Sequence, residues 1–226
     1  MCSKGARMPI PALAAAVLVA LAAPTPEGVA APAPPASPPA PAAAELTRRV
    51  QAFYEKTRDL QAGFTQTYVY AGLGRRLAST GTLKVKKPGL IRWDYLTPSP
   101  KVVAVTGRKL VQYEPEEQQA YVDEQFDATG MTAAVGFLIG QGDLARDFSA
   151  TPGEGGTLVL RPRVADPRVA RLVFTVGPDG EVLATAVLDG SGNENRLAFT
   201  SIRRNGGIPD AAFVVKLPAG TRRVGK

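Results

Sequence analysis

The chain has 226 residues, of which 45% are hydrophobic, 7% aromatic and 21% charged. This composition is typical of a globular protein and excludes a collagen-like, disordered or polytopic membrane chain. The sequence has no histidine and a single cysteine, Cys2, so it cannot form a histidine-based triad, a cysteine-rich zinc site or an internal disulfide. The formal net charge of +7 permits a basic patch that faces an anionic partner.

Residues 1–30 have the layout of a secretory signal peptide. Lys4 and Arg7 precede an apolar run over residues 10–23, and small residues follow around Gly28. The run has 14 residues, whereas a membrane-spanning helix needs about 20, so the pattern favours cleavage and export over a permanent anchor. We predict cleavage after Ala30, which removes the cysteine.

Residues 31–44 are rich in proline and alanine. Such a segment favours an extended, polyproline-like chain and cannot build a hydrophobic core. We therefore predict a linker over residues 31–44 and one folded domain over residues 45–226.

The folded domain begins with a helix and continues in strands. Leu46, Val50 and Phe53 follow the spacing of one apolar helix face. From Leu60 onward the apolar period changes to two, which predicts a strand directly after the helix. Further alternating segments, separated by turn residues, cover residues 77–85, 91–95, 102–105, 110–113, 119–123, 158–161, 171–176, 182–188, 196–203 and 213–217.

Residues 129–148 interrupt the strand pattern, because their apolar side chains have the spacing of one or two short helices. The sequence therefore predicts an α+β fold in which an open, curved antiparallel sheet, or half-barrel, carries a helical lid over an apolar cavity. Such a cavity indicates an apolar ligand.

One long stretch of the sequence resembles the LolA family of periplasmic lipoprotein carriers. The stretch runs from Gly81 to Tyr95 (GTLKVKKPGLIRWDY) and continues through residues 102–106 to Tyr113-Glu114-Pro115. Shorter matches in the same chain order cover residues 64–66, 127–130, 176–180 and 208–213. The resemblance therefore spans nearly all of the predicted domain.

The resemblance implies a half-open barrel that receives the acyl chains of a lipoprotein from an inner-membrane lipoprotein-releasing ABC transporter. It also implies delivery to an acceptor lipoprotein at the outer membrane, and action as a monomer in the periplasm of a Gram-negative bacterium. No catalytic group, metal or cofactor is implied, and we predict that the chain is not an enzyme. The sequence contains no nucleic-acid-binding motif.

Seven apolar or aromatic residues are candidates for cargo binding. Ile91, Trp93 and Tyr95 share one face of a predicted strand, and the resemblance places Ile91 near the mouth of the cavity. An equally good interpretation is that these three side chains form ordinary sheet core, and for Phe64 a structural role is the favoured interpretation. The full candidate set is Phe64, Ile91, Trp93, Tyr95, Met131, Val135 and Leu138.

Lys87 stands where the family has an arginine that holds the lid closed through backbone carbonyls. A lysine ammonium is a single point donor, whereas a guanidinium is a planar fork, so the latch predicted here is weaker than the family's. Lys86 shares the role in one alternative, and in another both lysines are solvated charges at the end of a strand.

The principal alternative function is a lipid- or lipoprotein-binding sensor of the cell envelope with the same half-barrel architecture. Such regulators usually carry a second domain or a membrane anchor. This chain ends soon after its last predicted strand, which favours the carrier. An enzyme is the least favoured class, because the scattered carboxylates and lysines suggest no paired nucleophile and base.

Overall fold

The computed structural model describes residues 40–126, Phe137 and residues 142–225. The elements with defined bounds in this part of the chain are two α-helices, α1 and α2, three short 3-10 turns and twelve strands. The helices and strands are α1 (Ala40–Glu55), β1 (Asp59–Tyr70), β2 (Arg75–Lys86), β3 (Leu90–Thr97), β4 (Lys101–Thr106), β5 (Lys109–Glu114), β6 (Gln119–Asp123), α2 (Leu144–Asp147), β7 (Phe148–Pro152), β8 (Thr157–Pro162), β9 (Arg171–Val176), β10 (Val182–Leu188), β11 (Glu194–Arg204) and β12 (Arg222–Gly225).

All twelve strands belong to one sheet, in the order β12-β6-β5-β4-β3-β2-β1-β11-β10-β9-β8-β7. Neighbours pair antiparallel, except that β12 runs parallel to β6. The two outermost strands, β12 and β7, do not pair with each other, so the sheet is open. The predicted α+β architecture with an open antiparallel sheet is confirmed. No helix among the described residues is long and apolar enough to cross a membrane.

Helix α1 begins at Ala40, five residues before the predicted start at Glu45. The early start is compatible with the sequence, because a proline such as the one at position 41 is tolerated in the first turn of a helix, where no backbone N–H partner is needed. Of the predicted apolar face, Val50 and Phe53 are buried and Leu46 is partly buried, and Tyr54 beside them is buried as well. They pack into a cluster formed mainly by the strands β7 to β10, which we call the helix-side cluster.

The helix-side cluster lies on one face of the sheet, which we call the inner face. A second cluster lies on the other half of this face. It consists of Phe64, Leu83, Val85, Ile91 and Val105. These five residues come from the neighbouring strands β1 to β4, and period-two alternation turns all of them to one side of the sheet. We call this second cluster the apolar floor.

The opposite face of the sheet is partly covered by the chain that follows β11. Phe213 lies there with no exposed surface, in a short 3-10 turn at Asp210–Phe213. The predicted strand over residues 213–217 is therefore wrong. Arg92 holds this segment in place because its Nη1 donates 3.2 Å hydrogen bonds to the carbonyl oxygens of Ala212 and Val214.

Candidate functional site

The apolar floor is the least solvent-exposed part of the inner face on the β1–β4 side. Its members expose 5% of their surface or less, and Ile91 exposes none. Register explains how residues far apart in sequence meet: Val85 pairs with Ile91, and Ile91 pairs with Val105 on the next strand. The result is a continuous apolar surface to which each of four strands contributes.

Trp93 and Tyr95 extend the apolar floor along β3 and are only half-buried. The Tyr95 ring packs edge-on against Phe64, with ring centroids 5.2 Å apart and planes 80° apart. Burial raises the pKa of Tyr95 above its usual value, and a side-chain hydrogen bond with Gln66 opposes the rise. We call these two side chains the aromatic border, because they lie between the buried floor and the solvent.

The structure brings four of the seven predicted cargo-binding residues together: Phe64, Ile91, Trp93 and Tyr95 belong to one packed cluster. Ile91 exposes none of its surface, and the place near the cavity mouth that the resemblance implies for it stays a prediction. Met131, Val135 and Leu138 lie outside the described residues. Of the segment predicted to form the lid, the structure describes Phe137, which is helical and buried, and residues 142–148.

Gly81 makes the close packing of Phe64 possible. A Cβ atom added to Gly81 would lie 2.7 Å from Cζ of Phe64 and closer still to the carbonyl oxygen of Asp94. The missing side chain therefore lets the Phe64 ring lie directly over β2 and reach Tyr95. The sequence placed Gly81 in a predicted strand and in the family resemblance but did not reveal this role.

Lys87 contacts helix α1. Its Nζ donates a hydrogen bond to the carbonyl oxygen of Tyr54 in the last turn of the helix. Loss of hydration lowers the pKa of Lys87, while the negative charge of Glu55 acts in the opposite direction. A cation at this position also interacts favourably with the negative end of the helix dipole.

Lys86 has different partners. Its Nζ donates to the carbonyl oxygen of Ile208 at 2.8 Å and forms a 2.6 Å ion pair with Asp210. Lys86 is the last residue of β2 and Lys87 lies just beyond it, and their ammonium groups contact different segments of the chain. The two lysines are therefore not interchangeable in this structure.

A further polar contact at the end of α1 was not anticipated from the sequence. Asn205 Nδ2 donates to the carbonyl oxygen of Lys56 at 3.1 Å, and Asn205 Oδ1 accepts from the backbone N–H of Arg58 at 2.8 Å. Asn205 has a φ of 58°, a left-handed conformation that asparagine adopts more readily than most residues. The Asn-Gly-Gly sequence at 205–207 is the only local signal for this turn.

Beside these contacts lies a polar depression of about 490 Å³. Its lining mixes acidic and basic side chains, including Glu55, Arg58, Asp59, Lys86 and Lys87. The carboxylate of Asp59 accepts hydrogen bonds from the backbone N–H groups of residues 206 and 207, at 2.8 and 3.1 Å. The ammonium groups of Lys86 and Lys87 and the carboxylate of Asp59 therefore bond backbone groups around the depression.

Among the described residues, no group of three or more acidic, histidine or cysteine side chains could hold a metal ion. Candidate ligand binding centres on the apolar floor and its aromatic border, because these apolar and aromatic side chains pack together on the inner face.

Comparison with known proteins gives a consistent result. The family model described as "Outer membrane lipoprotein carrier protein LolA" matches residues 55–216. An outer-membrane lipoprotein carrier protein of Dechloromonas aromatica is 32% identical over 77% of this chain and 85% of the relative. One of Chromobacterium violaceum is 28% identical over 80% of this chain and 88% of the relative.

A solved structure shares the fold at lower sequence identity. An uncharacterized conserved protein from Thermus thermophilus superposes with a TM-score of 0.50 at 15% identity, over 81% of this chain and 98% of that protein.

Proposed function

Because the chain belongs to the LolA family of outer-membrane lipoprotein carriers, we propose that it binds the acyl chains of lipoproteins on the inner face of its sheet. The apolar floor is the observation that supports this proposal. Each CH₂ group removed from water contributes about 0.8 kcal/mol, so acyl chains require a water-excluding surface to cross an aqueous compartment. A carrier needs no reacting group, which agrees with the prediction that the chain is not an enzyme.

The compartment we propose is the periplasm, reached through a signal peptide at residues 1–30. There the protein takes lipoproteins from an inner-membrane lipoprotein-releasing ABC transporter and passes them to an acceptor lipoprotein at the outer membrane. The family match over residues 55–216 and the export pattern at the N-terminus support this route together.

We assign the first contact with cargo to the aromatic border rather than to the buried floor. Trp93 and Tyr95 are half-buried and accessible to a ligand, whereas Ile91 is fully buried and packs in the same cluster. Lys87 is the proposed latch, since its bond to Tyr54 ties the end of α1 to the sheet.

Lipoprotein release from inner-membrane vesicles tests the proposal. Replacing Trp93 with Glu places a carboxylate among the acyl chains, which costs several kcal/mol, yet at a half-buried position the carboxylate reaches water and the fold survives. Leu96→Glu, at a 60% exposed position near the end of the same strand, is the matched control. We expect Trp93→Glu to abolish release and Leu96→Glu to leave it at the wild-type level.

Circular dichroism of both variants checks that the sheet is intact. Wild-type release by a folded Trp93→Glu variant would refute cargo binding at the aromatic border.

A further inference from the structure

On four strands the inner face changes from an apolar to a polar side chain, at levels that are staggered across the sheet. Tyr95 and Lys101 lie level with Phe64, whereas Asn195 lies four residues further along β1, opposite Tyr68. On each strand the change occurs within the two-residue alternation that keeps side chains on one face. The polar side chains that follow the apolar ones are Gln66 on β1 after Phe64, Asn195 on β11 after Leu197, Tyr95 on β3 after Trp93 and Lys101 on β4 after Val103. We call these four residues the polar row.

The polar row is a connected group. Gln66 Nε2 donates a 2.8 Å hydrogen bond to Oδ1 of Asn195, and the side chain of Gln66 also lies close enough to Tyr95 to oppose the rise in its pKa. The ammonium of Lys101 lies 4.8 Å from the centre of the Tyr95 ring. Backbone pairing of Tyr95 with Lys101, and of Tyr95 with Gly81, fixes this arrangement in the sheet.

The polar row also has hydrogen-bond donors that no described acceptor uses. Within residues 40–126 and 142–225, Lys101 forms no ion pair, and the amide nitrogen of Asn195 donates no hydrogen bond. Glu194, the neighbour of Asn195 along β11, forms a 2.8 Å ion pair with Arg196. The polar row therefore presents donors, one of them cationic, directly beside an apolar surface.

We propose that the polar row binds the ester and amide carbonyl oxygens through which acyl chains are attached to a lipoprotein. This inference rests on the proposed function and adds the orientation of the cargo. The acyl chains lie along the apolar floor toward the start of β1 and helix α1, and the protein part of the cargo leaves toward the β1–β2 turn at Ala71–Leu73.

Carbonyl oxygens fit the row because they accept hydrogen bonds and carry no charge that needs full neutralisation. The row has a single cation, and that cation already rests on an aromatic ring. A carrier that binds the linkage distinguishes acylated cargo from hydrocarbon alone. The reason is that a ligand whose carbonyl has no hydrogen-bond donor at an apolar border binds more weakly.

The test compares three fluorescent probes with the same pyrene-labelled chain: a methyl ester, the hydrocarbon without the ester, and the free acid. Wild-type protein is expected to bind the ester at least tenfold more tightly than the hydrocarbon. In the double variant Asn195→Leu, Lys101→Met this preference should fall below threefold, with unchanged affinity for the hydrocarbon. Thr65→Val, on the opposite face of β1, is the matched control and keeps the preference.

Three results would overturn the inference. The first is that wild type binds ester and hydrocarbon equally well, or that the folded double variant loses affinity for both equally. Either finding would mean that the polar row does not recognise the linkage, while acyl-chain binding itself would stand. A tenfold preference for the free acid over the ester that depends on Lys101 would show a carboxylate site instead. Failure of wild type to bind any probe would refute the proposed function itself, and the inference with it.

Discussion

Tyr54 shows how one buried side chain serves both the core and the end of helix α1. Its ring packs edge-on against Phe53 at 5.2 Å and against Phe137 at 5.1 Å, while its backbone carbonyl accepts the hydrogen bond from Lys87. Burial raises the pKa of the phenol well above its usual value of 10.0, and a hydrogen bond with the backbone of Val182 only partly opposes this. The folded protein therefore keeps the phenol neutral.

This raised pKa predicts that the folded protein loses stability at alkaline pH. Above about pH 10 the unfolded chain releases the Tyr54 proton and the folded chain does not, so stability that is present at lower pH is lost as the pH rises. In Tyr54→Phe this loss is absent. Between pH 8 and pH 11 the free energy of unfolding should fall by roughly 1.4 kcal/mol less in Tyr54→Phe than in wild type.

Urea unfolding at the two pH values measures the difference. Phe53 and Phe137 provide the same ring contacts in both proteins, so the comparison isolates the hydroxyl group. Identical pH dependence in wild type and variant would show that Tyr54 already ionises in the folded state.

At the scale of elements, the pairing of β2 with its neighbours depends on a glycine. Gly81 lies opposite Phe64 on β1 and Tyr95 on β3, at a register shift in the β2–β3 pairing. The added Cβ of Gly81→Ala would meet both a backbone carbonyl and the Phe64 ring, and a backbone atom cannot move aside as a flexible side chain can.

Gly81→Ala is therefore expected to lower the free energy of unfolding by about 2 to 4 kcal/mol, through overpacking and the displaced Phe64 ring. Gly72→Ala, in the β1–β2 turn, is the control because nothing lies within 4 Å of its added Cβ. Chemical denaturation of both variants checks this. Equal stability of the two variants would mean that the sheet accommodates a methyl group at position 81.

The strands could be predicted from the sequence because alternation is a local property. The parity that linked Ile91, Trp93 and Tyr95 also places them on one face in the structure. By contrast, β7 and β12 were missed: Phe148 was assigned to a helical pattern, and Arg222–Gly225 is a short, mostly exposed strand without alternation.

Long-range polar contacts could not be predicted in the same way. Asn205 bonds Lys56 across 149 residues and Lys87 bonds Tyr54 across 33, and neither pair has a local pattern that names its partner. The family resemblance identified Lys87 as a candidate latch, but only the structure shows that the carbonyl it contacts belongs to α1.

At the scale of the whole molecule, the helix-side cluster and the apolar floor meet at Phe199, which packs against both. Helix α1 covers the first cluster, and its last turn is tied to the sheet by Lys87. Movement of this turn away from the sheet would uncover the helix-side cluster, which adjoins the floor at Phe199. As part of the proposed function we expect this opening to ease the entry of acyl chains, and we expect the strength of the Lys87 contact to set how readily it occurs.

The latch is tested by changing the number of donors at position 87. A charged hydrogen bond contributes about 1.5 to 3 kcal/mol before its entropy cost, and partial exposure of Lys87 reduces this to about 1 kcal/mol, or roughly fivefold in the ratio of closed to open protein. Lys87→Arg supplies a planar fork that bonds the helix end more firmly, so the apparent affinity for an acyl probe should fall, because binding must first open the protein.

Lys87→Ala should raise the apparent affinity by up to roughly fivefold for the same reason. Lys86→Ala is the matched control, since Lys86 contacts Ile208 and Asp210 rather than α1, and it should leave affinity unchanged. Probe titration at constant pH and salt, with circular dichroism as a fold check, measures all three variants. If Lys87→Arg and Lys87→Ala shift the affinity in the same direction, or if neither shifts it, the bond to Tyr54 only anchors the helix and does not control access to the floor.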